Sequence, residues 1–433
     1  MIEFYNIIFI PIALIVKKVM GFFDPKLRLR EEKWRKTLYK VLDLNARTSD
    51  QKPVIWFHSA SMGEFEQAKP IIEMIKKNNK EVRIIVSFFS PSGYENQKNY
   101  EYADAVVYMP FDRLSDVQYF LGVIKPDIAV FVRYEIWRNY LSQLKLQKVP
   151  VYLIDATKPE SFWLVKAPLI KRFTRNNYDY FDRIYTVDEK QSEFFKKMNI
   201  KSEIITLSDT RFDRIAGKVQ QASQLKIIPE GYFHPDEFVI VLGSSWPMDE
   251  KIAFRAVNEW NNKKDKKIKL IVVPHEPTES HIIEIQQTAA NFVLLSEIEK
   301  HIDDEDFISD NKSKHILVDS IGKLLMLYSY ADAAYIGGAF GAGVHSVTEP
   351  AGYGIPLAAG TGMQNSPDAV NLKDLKCLTI ISGPNDFYEW IRIMIENKDE
   401  YDKMSKTAGD YINTKLGSSK KIYEDITSEI KKH

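Results

Sequence analysis

From Pro53 onward the chain alternates between two rhythms of apolar and polar positions. Short apolar runs predict strands at Val54–Phe57, Val82–Ser87, Ala105–Met109, Ile128–Val132, Val151–Ile154 and Ile184–Val187. Between them, helical spacing is carried by Phe65–Lys77, Leu114–Val123 and Arg138–Leu146. The cycle restarts after Ser208, with strands predicted at Phe238–Leu242, Lys269–Val273, Ile316–Val318, Ala333–Ile336 and Ile355–Ala358. Apolar runs alternating with helical periods are the pattern of parallel βαβ units. A polar passage with Pro229, Gly231 and Pro235 separates the two series and reads as a linker, whereas the acidic stretch 297–314 reads as a surface excursion. The expected architecture is α/β: two doubly wound, Rossmann-like domains facing a cleft. In such sheets ligands bind beyond the carboxyl ends of the strands.

Ahead of the first strand the pattern changes. Residues 4–16 form an uncharged, mostly apolar run, shorter than the roughly 20 residues that span a bilayer. From Lys17 to Lys40 there follow nine basic residues against three acidic ones. An apolar run followed by a basic one is the pattern of an anchor at a cytoplasmic membrane surface. The alternative is a buried N-terminal helix. The expected layout is an anchor over 1–23, a first domain over 24–215, a linker over 216–236 and a second domain over 237–433.

Composition narrows the chemistry. The 433 residues carry 59 basic and 59 acidic side chains, and stacking aromatics are not interleaved with the basic ones, so no nucleic-acid partner is expected. A single cysteine, Cys377, excludes an internal disulfide framework, and the eight histidines show no paired ligand spacing. No metal site and no cofactor are expected. Fingerprints of rival classes are absent: no GxxxxGK[ST], no GxSxG, and no GxGxxG after the first strand.

The candidate chemistry sits at strand ends. Ser61, Gly63 and Glu64 follow the first strand, where glycine allows a sharp turn and a helix N-terminus favours an ionised, base-competent carboxylate. Glu64 can equally be a simple helix-start carboxylate. Glu135, between Tyr134 and Trp137, follows the strand Ile128–Val132; it can share catalytic work with Glu64 or pair with a nearby base. Arg211 precedes the linker. In the second domain Gly243 and Ser244 follow a strand and suit a phosphate. His275 can bond a phosphate or base, or merely belong to a surface turn, and Asn365 is a further polar loop group. The richest stretch runs from Gly337 and Gly338 through His345 to Glu349, with four glycines in seven residues between a strand and a helix. It fits either a phosphate cradle, with Glu349 on ribose hydroxyls, or tight packing.

Taken in order, these segments resemble a known family, the 3-deoxy-D-manno-octulosonic acid (Kdo) transferases of lipopolysaccharide assembly. His58-Ser59-Ala60-Ser61-Met62-Gly63-Glu64 is similar to the family's His-x-x-Ser-x-Gly-Glu, and Tyr134-Glu135-Ile136-Trp137 to its Thr-Glu-Leu-Trp. Asp209-Thr210-Arg211-Phe212-Asp213 resembles Gly-Asn-x-Lys-Phe-Asp, and Gly243-Ser244-Ser245 resembles Gly-Ser-Thr. Ile336-Gly337-Gly338 through His345-Ser346-Val347-Thr348-Glu349-Pro350 resembles Ile-Gly-Gly…His-Asn-Pro-Leu-Glu-Pro. The chain departs from the pattern at Ser346, at Val347, at Ser208-Asp209, and at Pro274-His275-Glu276-Pro277 in place of Pro-Arg-His-Pro.

The resemblance implies a metal-independent, inverting GT-B glycosyltransferase at the cytoplasmic face of the cell inner membrane. It would move Kdo from CMP-Kdo to the 6′-hydroxyl of lipid IVA, the lipid A precursor. Glu64 would be the catalytic base and Glu135 its support. Glu349 would hold the ribose, with Gly243, Ser244, Gly337, Gly338 and Arg211 around the phosphate. Two other readings remain at this stage: a GT-B transferase for another nucleotide sugar, and a non-catalytic membrane-tethered binding module.

Overall fold

The computed structural model describes residues 2–23, 25–47, 52–159, 168–288 and 291–431; for 17–23, 25–27, 47, 168–171 and 173 it gives the backbone only. The chain forms two compact units. The first comprises Met1–Arg214 together with Lys415–His433, and the second is Ile215–Thr414.

The first unit is built on a parallel sheet of seven strands: β1 (Val54–Ser59), β2 (Arg83–Phe88), β3 (Ala105–Tyr108), β4 (Ile128–Val132), β5 (Val151–Ala156), β6 (Arg183–Thr186) and β7 (Glu203–Thr206). Their order is β3-β2-β1-β4-β5-β6-β7. Helices cover both faces, so β1, β2, β4 and β5 are buried at every position. That is why those strands read as unbroken apolar runs. The order reverses between β1 and β4, which makes their carboxyl ends the place where such a sheet opens to a ligand.

The second unit repeats the plan with β8 (Phe238–Ser245), β9 (Ile268–Pro274), β10 (Phe292–Leu294), β11 (His315–Leu317), β12 (Ala333–Ile336), β13 (Leu357–Ala359) and β14 (Leu378–Ile380), all parallel. The order β10-β11-β9-β8-β12-β13-β14 places its switch point between β8 and β12.

Several expectations change. The passage 216–236 is not all linker: its first residues belong to the helix Arg211–Ala222. The acidic excursion contains two short helices, Leu295–Lys300 and Glu305–Asn311. Residues 415–433 belong to the first unit rather than the second. Their helix Ser418–Ile430 buries Ile422 and Ile426 in the first unit's apolar core. Asp213 accepts from the backbone N–H groups of Gly417 and Ser419 at 2.7 Å each, and Tyr185 Oη donates to Asp425 at 2.8 Å.

The N-terminal run is helical, with a π turn at Tyr5–Phe9 leading into Ile10–Phe23. Tyr5 and Ile10 are buried, whereas Phe4, Ile7, Phe9, Ile12 and Ile15 are each more than half exposed. Among the described residues no helix is long and apolar enough to cross a membrane. The side chains of Lys17 and Lys18 lie outside the described residues.

Candidate active site

In the first unit the reactive groups gather where β1 and β4 end. The helix Met62–Asn78 starts at Ser61, and Glu64 folds back so that Oε2 accepts from the Ser61 N–H at 2.8 Å and from its hydroxyl at 3.3 Å. This carboxylate-to-N-cap contact ties the Glu64 side chain to the first turn. Burial raises the Glu64 pKa, and the charge of Glu135 adds to it; the two Ser61 bonds and His58 oppose the shift.

Glu135 is held from two sides. Trp137 Nε1 donates to its Oε2 at 2.6 Å and His58 Nε2 lies 3.1 Å from the same oxygen. His58 is fully buried, with Nδ1 2.8 Å from Ser87 Oγ, and Ser87 Oγ in turn accepts from Trp56 Nε1 at 2.8 Å. An indole only donates, so the Ser87 hydroxyl proton is free to point at His58 Nδ1. His58 Nδ1 also lies 3.2 Å from the Ser87 carbonyl oxygen, so the ring bridges Ser87 and Glu135. The relay fixes Glu135 as an acceptor whose charge faces the Glu64 region.

Beside these carboxylates lies a second polar network. Arg133, in left-handed backbone with φ 60°, donates to Gln67 Oε1 at 2.7 Å and to Asp209 Oδ2 at 2.9 Å. Thr210 donates its N–H to Asp155 at 2.8 Å. Asp155 is buried, and burial followed by the charge of Asp209 pushes its carboxyl upward.

In the second unit β8, β9 and β12 present Trp246, His275 and His345 from three adjacent strand ends. Asp249, fully buried in the helix Pro247–Lys263, accepts from Trp246 N–H (3.0 Å), Gly338 N–H (3.0 Å) and Tyr335 Oη (2.7 Å). It therefore staples the glycine-rich loop to the helix. Glu349 has its pKa raised by burial, with Lys218 opposing, and no hydrogen-bond partner for its carboxylate is present among the described residues. The Ser244 hydroxyl is likewise unpartnered among them, on a residue whose φ is 51°. Also among the described residues, no cluster of three His, Cys, Asp or Glu side chains is placed to hold a metal ion.

The sequence pattern of the family described as 3-deoxy-D-manno-octulosonic-acid transferase (kdotransferase) matches residues 32–214. A 3-deoxy-D-manno-octulosonic acid transferase from Chlamydia trachomatis serovar D is 26% identical over 71% of this chain and 70% of its own. A protein of the same description from Haemophilus influenzae is 20% identical over 95% of this chain and 96% of its own. The chain is similar to the Kdo transferases over most of its length. The resemblance drawn from the motifs is borne out, and the enzyme is a glycosyltransferase. Among solved structures, UDP-GlcNAc 2-epimerase from Neisseria meningitidis bound to UDP-GlcNAc matches 87% of this chain and 100% of its own with TM-score 0.55 at 15% identity. That likeness concerns the fold alone, the two Rossmann-like domains of the GT-B class.

The structure changes the reasons given for several site residues. Gly63 makes no sharp turn; it lies inside the helix, and a Cβ there would meet nothing nearer than Ser61 Oγ at 3.9 Å. It leaves the helix start open beside Glu64. Arg211 lies in the first unit, 3.5 Å from Asp209. The glycine amides do not form a phosphate cradle. Gly337 donates to Gly243 O, Gly338 to Asp249, and Gly341 and Gly343 to Gly338 O. These glycines serve close packing: a Cβ on Gly337 would sit 2.3 Å from Ser244 O, and one on Gly243 would sit 2.1 Å from Tyr328 Oη. Asn365 clamps the loop by exchanging bonds with Val344 N–H and C=O at 3.2 Å each. Sequence reasoning missed Trp246, Asp249, Arg133 and the His58 relay. Their only signal is position, each within a few residues of a strand's carboxyl end.

Proposed function

We propose that this enzyme transfers Kdo from CMP-Kdo to the 6′-hydroxyl of lipid IVA, with inversion and without a metal. The observation that carries the reading is Glu64, a half-buried carboxylate with a raised pKa at the β1/β4 switch point of the unit that matches the Kdo-transferase pattern. A carboxyl whose pKa is lifted toward the working pH is a stronger base than an ordinary one. Glu64 removes the proton as the acceptor oxygen attacks the anomeric carbon, and the bond to CMP breaks with its electron pair passing to the phosphate. Glu135, locked by Trp137 and His58, keeps its charge nearby and so helps to keep the Glu64 pKa high.

The donor falls to the second unit. Glu349 accepts from ribose hydroxyls, while Ser244, His275 and His345 surround the departing phosphate. Fixed donors aimed at developing charge supply the stabilisation that a metal would otherwise give.

The lipid acceptor and the cytoplasmic face of the inner membrane are supported by the N-terminal helix. Its uncovered residues Phe4, Ile7, Phe9, Ile12 and Ile15 form an apolar strip of the kind that marks a membrane contact. Exposed Arg28, Lys33, Arg35, Lys36 and Lys40 on the next helix add the charge that anionic lipid attracts. A groove of about 690 Å³ lined by Ile10, Leu14, Ile15 and Leu114, with Arg113, lies alongside.

The test is transfer from freshly generated CMP-Kdo to lipid IVA, with and without EDTA, by the wild type and by Glu64→Gln. Product in EDTA from the wild type is expected, with turnover by Glu64→Gln lower by about 10²–10⁴ and CMP binding kept. Full turnover by Glu64→Gln would remove the base assignment. No wild-type product, with CMP still bound by calorimetry, would reject the sugar or the acceptor.

A further inference from the structure

An indole carries one polar hydrogen and no acceptor, so an indole N–H beside an imidazole nitrogen decides which nitrogen is bare. Trp246 Nε1 lies 3.0 Å from His345 Nε2. His345 Nε2 is therefore the acceptor, and the proton of the neutral ring sits on Nδ1. The two ring planes lie within 7° of each other with centroids 6.5 Å apart. With the two nitrogens 3.0 Å apart, that separation fits two rings side by side, joined edge to edge by the hydrogen bond. The His275 ring covers this pair, 4.3 Å from His345 and 5.2 Å from Trp246 and tilted by 23° and 17°. A Cβ on Gly338 would come within 2.8 Å of His345 Cδ2, so the same edge of the imidazole is gripped from the loop as well. Nδ1, on the other edge, has no partner among the described residues.

We infer that Trp246 is a positioning residue of the donor site: it holds His345 in the Nδ1–H form and in one plane, so that this N–H is offered to a phosphate oxygen of the bound nucleotide. The inference rests on the reading of the second unit as the donor unit. An unconstrained imidazole exchanges its proton between the two nitrogens, and a donor needed at Nδ1 would then be present only part of the time. The bond from Trp246 removes that exchange, and the cover of His275 keeps the ring from turning. Trp246 touches no reacting atom and acts through His345.

The experiment uses the full chain with ¹⁵N-labelled histidine, His345 being assigned by the signal lost in His345→Gln. In the wild type, ring nitrogen shifts are expected to show a protonated Nδ1 and a bare Nε2. Trp246→Phe keeps a flat ring under His275 but lacks the N–H, and should show the two tautomers mixed. CMP should then bind about three- to tenfold more weakly, the worth of one hydrogen bond, while cytidine, which lacks the phosphate, binds as before. A wild-type Nε2 that carries the proton would overturn the inference. So would unchanged CMP affinity in Trp246→Phe, or an equal loss for CMP and cytidine, which is the mark of a packing role. A wild type with the expected tautomer that binds neither ligand would overturn the donor reading, and the ligand half of the inference with it, while the tautomer result would still stand.

Discussion

Glu64 and Glu135 are the same kind of group in different surroundings. One has two Ser61 donors, a partly buried carboxyl and an upward-shifted pKa; the other has an indole and an imidazole on a single oxygen. A base works only when deprotonated, so activity should rise with pH through the raised Glu64 pKa, and its acid limb should lie above the usual carboxylate range. Because the charge of Glu135 is one cause of that rise, Glu135→Gln should move the limb to lower pH. The check is kcat/KM against pH for both proteins. A limb that stays put or moves up would mean that Glu64 is not the group being titrated, or that Glu135 does not act on it through charge.

Among the elements, the N-terminal helix is fastened by polar contacts beneath its apolar strip. Tyr5 Oη donates to Asp112 at 2.7 Å, and Asn6 and Asn139 exchange amide bonds at 2.9 and 2.7 Å. Asp112 also accepts from the N–H groups of Asn139 and Tyr140 at the start of the helix Arg138–Leu146. Burial raises its pKa to about 7. The folded state thus holds this proton more tightly than the unfolded chain does. The stability it contributes is complete below the unfolded value and is lost as pH rises toward 7. Asp112→Asn should therefore narrow the loss of stability between pH 5 and pH 8, read as the shift in urea midpoint. An undiminished shift would place the titration elsewhere. Tyr5→Phe removes one donor of this buried carboxyl, which keeps those of Asn139 and Tyr140, and should cost about 1 kcal/mol.

At the same scale, legibility follows burial. Central strands such as β1, β4, β8 and β12 are apolar on both faces and readable as runs. The edge strands β7 (Glu-Ile-Ile-Thr), β10 and β14 are short and partly exposed, and they leave no comparable signal. The motif carboxylates were legible because they follow readable strands. Trp246 and Asp249 were not, since what they do depends on β12 lying beside β8 and bringing the glycine loop against the next helix. The loop's many glycines invite a phosphate reading, yet their amides are used internally.

For the molecule as a whole, the first unit is discontinuous in sequence, with residues 215–414 set between its two parts. A chain ending at Thr414 would lose Ile422 and Ile426 from that unit's core and the partners of Asp213 and Tyr185. Hydrogen exchange on it should show strands β1 to β7 losing protection while strands β8 to β13 keep theirs. Protection retained throughout the first unit would mean that the terminal helix is dispensable. The same discontinuity bears on synthesis. At about 5–20 residues per second, the intervening 200 residues occupy the ribosome for roughly 10–40 seconds. Throughout that interval the part of the first unit already made waits with the seat of Ile422 and Ile426 vacant and its N-terminal apolar strip uncovered, so a nearby bilayer or a chaperone has time to meet it unfinished.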